Sequence, residues 1–147
     1  MRDNPRVSDE VRTHINLEGF RSVFDEADVR YAVLFGSYAT GSESQTSDLD
    51  VGVRFADECS RRERFRRRNR IDSELQSYAD PFVDVSDLEA LPDTVALTAL
   101  RDGRLLYGDL AAKAADERRL ERRVEESSER RARRRRDVID RLAERDV

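Results

Sequence analysis

Five consecutive apolar residues, Tyr31-Ala-Val-Leu-Phe35, stop at Gly36. A short unbroken apolar run of this kind is the pattern of a strand buried on both faces. Such a strand needs other strands beside it and helices over it, which commits the chain to a layered α/β arrangement. The length of 147 residues allows one domain with one core.

The flanking sequence supplies the other layers. Leu17, Phe20, Val23 and Phe24 recur at helical spacing, so residues 16–27 read as an amphipathic helix. Residues 41–47 are all polar or glycine and read as a loop. Asp48-Leu-Asp-Val-Gly-Val-Arg-Phe55 alternates as a second strand, with Asp48 and Asp50 on one face and Leu49 and Val51 on the other. Ser60 opens a helix that runs free of Gly and Pro to Tyr78, with Phe65, Ile71, Leu75 and Tyr78 near one face. Phe82-Val-Asp-Val85 is a third short strand, Pro92 to Leu100 a helix ended by Asp102-Gly103, and Leu105-Leu-Tyr107 a fourth strand. The predicted order α-β-β-α-β-α-β is a mixed α/β (α+β) domain over residues 1–110, a small mixed sheet flanked by helices. Residues 111–147 form a separate compositional region, a charged tail that is helical or disordered.

Charge divides the chain at the same point. Residues 1–110 carry 15 basic and 22 acidic side chains, whereas residues 111–147 carry 13 and 10. Of the 28 basic residues only Lys113 is a lysine. An arginine- and carboxylate-rich surface fits a salt-adapted cytosol, and a GC-rich genome would bias the codons the same way. No run of 18 apolar residues exists and residues 1–10 are polar, so neither a membrane span nor a secretory signal is expected, and the expected location is the cytoplasm. A single cysteine, Cys59, and a single histidine, His14, exclude an internal disulfide and a Cys/His zinc site. Seven arginines in Arg61–Arg70 and six in Arg130–Arg136 suggest nucleic acid, but carboxylates flank both runs. Each reads more simply as a solvated helix face, and nucleic acid is not an expected partner.

The residues that carry chemistry are Gly36-Ser37, at the end of the first strand, and Asp48-Leu-Asp50, which follows after ten residues. The glycine lets a phosphate approach the backbone, and Ser37 offers its N–H and hydroxyl to phosphate oxygens. Asp48 and Asp50, two apart on an extended segment, share a face and can hold hard divalent cations such as Mg²⁺. A third carboxylate must come from another strand. Asp84 is the natural candidate, because an aspartate among strand apolar residues is costly unless paired or metal-bound. Asp80 lies in a turn before Pro81, and Asp87 is explained by capping of a following helix.

The run Val33-Leu-Phe-Gly-Ser-Tyr-Ala-Thr-Gly41, with Ser47-Asp-Leu-Asp-Val51 and Val83-Asp-Val85, resembles the DNA polymerase β-like nucleotidyltransferase superfamily. Within it the chain looks like the minimal nucleotidyltransferases (MNT) found in prokaryotic pairs with HEPN-domain proteins. The resemblance covers roughly Tyr31 to Asp109, including Leu100-Arg-Asp-Gly-Arg-Leu-Leu-Tyr107. It implies a polymerase β-like core, two Mg²⁺ ions held by Asp48, Asp50 and Asp84, a nucleotide triphosphate at Gly36 and Ser37, and transfer of the NMP moiety. The sequence departs from the family pattern at Thr40, where many members carry Arg after the alanine.

HEPN toxins are RNases, and some MNT proteins neutralise them by moving AMP from ATP to a toxin tyrosine. The resemblance therefore implies a type VII-like antitoxin, a protein adenylyltransferase with ATP as substrate and a HEPN toxin as partner. A core of about 110 residues without an acceptor-shaping second domain fits a site completed by a partner protein. Two other readings share these residues. One is a stoichiometric antitoxin acting by occlusion, against which the intact set of carboxylates argues. The other is an enzyme modifying a small molecule such as an aminoglycoside.

Overall fold

The computed structural model describes residues 6–44, 47–56 and 58–145. Its elements are α1 (Asp9–Arg12), α2 (Leu17–Glu26), β1 (Val29–Phe35), α3 (Ser37–Thr40), β2 (Leu49–Phe55), α4 (Arg61–Leu75), β3 (Val83–Asp87), α5 (Asp93–Asp102), β4 (Arg104–Gly108) and α6 (Leu110–Arg145). Single 3₁₀ turns follow α4 at Gln76–Tyr78 and β3 at Leu88–Ala90. The strands form one mixed sheet in the order β3-β2-β1-β4, with β1 antiparallel to β2 and β4, and β2 parallel to β3.

The apolar run that fixes the fold class is central for a simple reason. Strand residues alternate between faces, and both faces of β1 are covered. Ala32 and Leu34 enter one core with Val51, Val53, Val83 and Val85 of the neighbouring strands, under Phe20 and Phe24 of α2 and Ile71 and Leu75 of α4. Tyr31 and Val33 enter a second core with Ala96, Leu97, Ala99 and Leu100 of α5 and Leu120 of α6. A fully buried side chain of this size contributes about 1.5–3 kcal/mol, so β1 is anchored from both sides.

Caps mark the helix starts that the sequence predicts. The Asn16 side chain accepts a hydrogen bond from the Gly19 amide, and Ser60 accepts one from Glu63. The helix expected over 60–78 is divided instead, with α4 ending at Leu75 and the 3₁₀ turn completing it. The second strand begins at Leu49, so Asp48 stands just before it. Of the loop expected at 41–47, Gln45 and Thr46 lie outside the described residues. Helix α1 was not foreseen, although Val7, Val11 and Ile15 recur every fourth residue and all three are buried.

The charged tail is one 36-residue helix. Its first part is held to α5 and to the sheet by polar contacts. Lys113 Nζ donates to the Leu100 carbonyl at 2.8 Å, and the Tyr31 hydroxyl donates to Asp116 Oδ2 at 2.7 Å. Arg54 of β2, on the same sheet face as Tyr31, pairs with Asp116 at 3.3 Å and with Glu89 at 2.6 Å. Burial and the adjacent carboxylate push the Tyr31 phenol well above its ordinary pKa. Removing one partner of such a buried pair strands the other charge and costs about 3–5 kcal/mol. Residues 128–144 of the helix are exposed throughout. No helix among the described residues is long and apolar enough to cross a membrane.

Candidate functional site

The face of the sheet that carries Tyr31 and Val33 also carries Asp50, Gly52 and Arg54 of β2, since Phe35 pairs with Asp50, Val33 with Gly52 and Tyr31 with Arg54. On β3 the residue opposite Asp50 is Asp84. Helices α5 and α6 cover the Tyr31 and Val33 end of this face. At the other end Asp50 is half-buried, and the Asp48 and Asp84 residues are exposed. Alternation thus places apolar Leu49, Val51, Val83 and Val85 in the core while the intervening aspartates face an open edge.

The aspartates sense one another. The Asp50 carboxyl is raised above its ordinary pKa, chiefly by burial and then by the negative charges of Asp84 and Asp48. The cation near Asp84 is Arg68 of α4, with Nη2 at 3.9 Å from Oδ1. Among the described residues no group of three or more carboxylate, His or Cys side chains forms a ready-made metal cage. The arrangement is one of clustered oxygen donors short of positive charge, and a divalent cation among them would remove the penalty on Asp50. In that respect the donor set fits Mg²⁺.

The Gly36 turn meets this cluster directly. Gly36 has φ 72° and ψ −153°, a conformation open to glycine and strained for other residues. A β-carbon there would strike Asp50 Oδ2, so the glycine also makes room for the carboxylate. The Ala39 and Thr40 amides bond back to the Gly36 carbonyl at 3.1 and 3.3 Å. The amides that precede them in the first turn of α3 have no helical acceptor, as at any helix start. Ser37 is the first residue of α3, and its hydroxyl caps nothing.

Thr40, at the family's arginine position, supplies no charge. Its hydroxyl lies 3.3 Å from the Gly36 carbonyl and 2.9 Å from Ser42 Oγ, bracing the turn. A cleft of about 650 Å³ opens beside the turn, lined by Gly36, Ser37 and Thr40 on one wall and by Thr94, Val95 and Thr98 of α5 on the other. The sequence reading passed over these α5 residues. Their signal is the polar stripe Thr94, Thr98, Asp102, opposite the buried Ala96, Leu97 and Leu100.

Residues 19–112 match the family described as Polymerase beta, Nucleotidyltransferase. The chain belongs to this nucleotidyltransferase family. The matched segment contains Gly36, Ser37, Asp48, Asp50 and Asp84. The nucleotidyltransferase fold recurs in solved structures. A chain from the crystal structure of a toxin–antitoxin with AMP-PNP superimposes with a TM-score of 0.64 and 21% identity, covering 85% of this chain and 99% of that one. A chain from a tri-AMPylated Shewanella oneidensis HEPN toxin in complex with MNT antitoxin gives 0.57 and 19%, covering 84% and 95%. A chain of the MntA-HepT toxin–antitoxin gives 0.57 and 18%, covering 84% and 96%. At these identities the likeness is one of fold. No curated protein matches the chain.

The free Ser37 hydroxyl separates binding from stability. Replacing Ser37 by Ala is expected to weaken affinity for a non-hydrolysable ATP analogue by about 1.5–3 kcal/mol, the range of a hydrogen bond to a charged group. With no capping bond to lose, stability should stay within about 0.5 kcal/mol of wild type. Calorimetric titration and thermal unfolding check the two halves, and unchanged affinity would retire Ser37 as a phosphate ligand.

Proposed function

We propose that this nucleotidyltransferase is the antitoxin of a HEPN toxin pair and transfers AMP from ATP to a tyrosine hydroxyl of the toxin. The observation that carries the reading is the contact of the Gly36 turn with the Asp50 carboxylate, with Asp48 and Asp84 beside it. Family membership and a fold shared with chains of toxin–antitoxin complexes support it, one of those complexes holding AMP-PNP and another a tri-AMPylated toxin.

In this reading Gly36 and Ser37 hold the triphosphate beside the carboxylates. Asp48 and Asp50 would hold both Mg²⁺ ions, and Asp84 the one nearer the attacking hydroxyl. Bound there, the ions would lower the pKa of that hydroxyl and stabilise the leaving pyrophosphate. The tyrosine oxygen forms a bond to the α-phosphorus as the bond to the bridging oxygen breaks, the hydroxyl proton passing to solvent. The open edge at Asp48 and Asp84 leaves room for an acceptor carried on another protein.

The test mixes this protein with a HEPN partner, Mg²⁺ and ATP at a small enzyme fraction. Intact-mass spectrometry should show AMP-sized increments on most partner molecules, because a catalyst turns over. An unmodified partner silenced only at equimolar mixing would overturn AMP transfer and leave inhibition by occlusion.

A further inference from the structure

Strand β3 is an edge strand, and its outer side is covered by side chains where a fifth strand would lie. The backbone of a strand bonds to alternate sides at alternate residues. The Phe82 carbonyl accepts from the Leu49 amide at 2.8 Å, turned toward β2, so Val83 and Val85 turn their backbone groups outward. Arg68 and Asp72 of α4, and Gln76 at the start of the 3₁₀ turn that continues it, meet them.

Four hydrogen bonds make this seam. Gln76 Nε2 donates to the Val83 carbonyl at 2.7 Å while its Oε1 accepts from the Val83 amide at 3.0 Å; Arg68 Nε donates to the Val85 carbonyl at 2.7 Å, and Asp72 Oδ1 accepts from the Val85 amide at 3.3 Å. The spacing explains why a helix can do this. One step of four residues on a helix rises roughly 6 Å, close to the roughly 6.6 Å spanned by two strand residues. The step from Asp72 to Gln76 therefore matches the step from Val85 to Val83, and Arg68, one turn earlier, reaches back to the same Val85.

The residue enclosed between the two clamped positions is Asp84. We infer that the Arg68, Asp72 and Gln76 stripe, which runs from α4 into the 3₁₀ turn, is a positioning device that aims the Asp84 carboxylate at the site. Arg68 acts twice: its Nε fixes the Val85 carbonyl, and its Nη2 lies 3.9 Å from Asp84 Oδ1, compensating a carboxylate that faces Asp50. The inference rests on Asp84 being a metal ligand, as in the proposed function. A stripe that only protected a sheet edge from pairing with other chains would have no reason to affect metal binding.

The test measures Mg²⁺ binding by calorimetric titration without nucleotide, the Mg²⁺ concentration giving half-maximal transfer, and thermal unfolding, for wild type, Gln76→Leu, Arg68→Gln and Asp72→Asn. Loss of groups that orient a ligand typically weakens metal affinity about 10–100-fold. Gln76→Leu should shift both Mg²⁺ measurements by that factor, with the maximal rate largely recovered at saturating Mg²⁺; Arg68→Gln also removes a cation that opposes Mg²⁺ at Asp84, so it should weaken binding less than Gln76→Leu does. Asp72→Asn keeps the accepting oxygen and should bind like wild type. Should Gln76→Leu fail to fold, the unbranched Gln76→Met, which likewise lacks both hydrogen bonds to Val83, decides. Variants that lower the melting temperature yet bind Mg²⁺ as tightly as wild type would overturn the positioning role alone. A wild type whose Mg²⁺ binding is absent, or untouched by Asp84→Asn, would overturn the metal-ligand reading and the stripe's role with it.

Discussion

Replacing Asp50 by Asn is expected to lower Mg²⁺-dependent transfer by more than the roughly 100-fold typical of losing a group behind the ligands, while the metal-free protein stays as stable as wild type or becomes more so. The reason is the direction of the Asp50 shift. Its carboxyl is raised by burial and by Asp84 and Asp48, so the folded state holds the proton more tightly than the unfolded chain does. A group raised in this way favours folding at low pH, and that contribution is lost as the pH rises through the folded-state pKa. Above that pH wild type carries an unfavourable buried charge that the Asn variant lacks. The difference in melting temperature between variant and wild type, measured in EDTA, should therefore grow in favour of Asn from acid to neutral pH. Adding Mg²⁺ should raise the melting temperature of wild type more than that of the variant, because a ligand stabilises the state that binds it. An Asn variant much less stable than wild type without metal would show that the carboxylate is structural.

What was legible in the sequence was what local periodicity encodes. The apolar run at Tyr31–Phe35, the alternation from Asp48 to Phe55 and the Ser60 cap each specify their element from within a few residues, and the elements stand nearly where these signals place them. The aspartates were legible because a charge at an alternating strand position must face away from the core. Pairings distant in sequence were not. Arg54 reads as an outward polar residue, yet it is buried, because Asp116 and Tyr31 meet it from α6 and β1. Lys113 and Asp116 read as part of a charged tail, while in the fold Lys113 holds that helix to α5 and Asp116 holds it to the sheet. Likewise Arg68 reads as one of seven arginines in Arg61–Arg70, and only the neighbouring strand distinguishes it from the exposed Arg61, Arg62 and Arg66. Composition shows how many charges a segment carries. Their roles depend on what packs opposite.

Two glycines of positive φ, one at each end of α3, test the contact at the centre of the site. Gly36 has φ 72° and Gly41, at the other end of α3, has φ 75°. Left-handed backbone such as that of Gly41, with ψ 18°, costs an alanine about 1–2 kcal/mol, and Gly36→Ala should lose more stability, because ψ −153° lies in a region essentially reserved to glycine. They differ in space. A β-carbon at Gly41 meets nothing within 4 Å, whereas at Gly36 it collides with Asp50 Oδ2 and comes within 3.3 Å of Asp50 Cγ. Gly36→Ala must therefore displace the Asp50 carboxylate or the turn, and with it the alignment of triphosphate and carboxylates on which in-line attack depends. Its transfer activity is expected to fall as far as that of Asp50→Asn, although every aspartate remains. Gly41→Ala should keep transfer within about threefold of wild type at a temperature where both variants are folded, since its β-carbon touches no group of the site. Rate measurements at saturating Mg²⁺ and ATP, beside thermal unfolding of both variants, separate loss of activity from loss of stability. Equal losses of activity in the two would assign the effect to α3 backbone strain, and an active Gly36→Ala would remove the turn from the site.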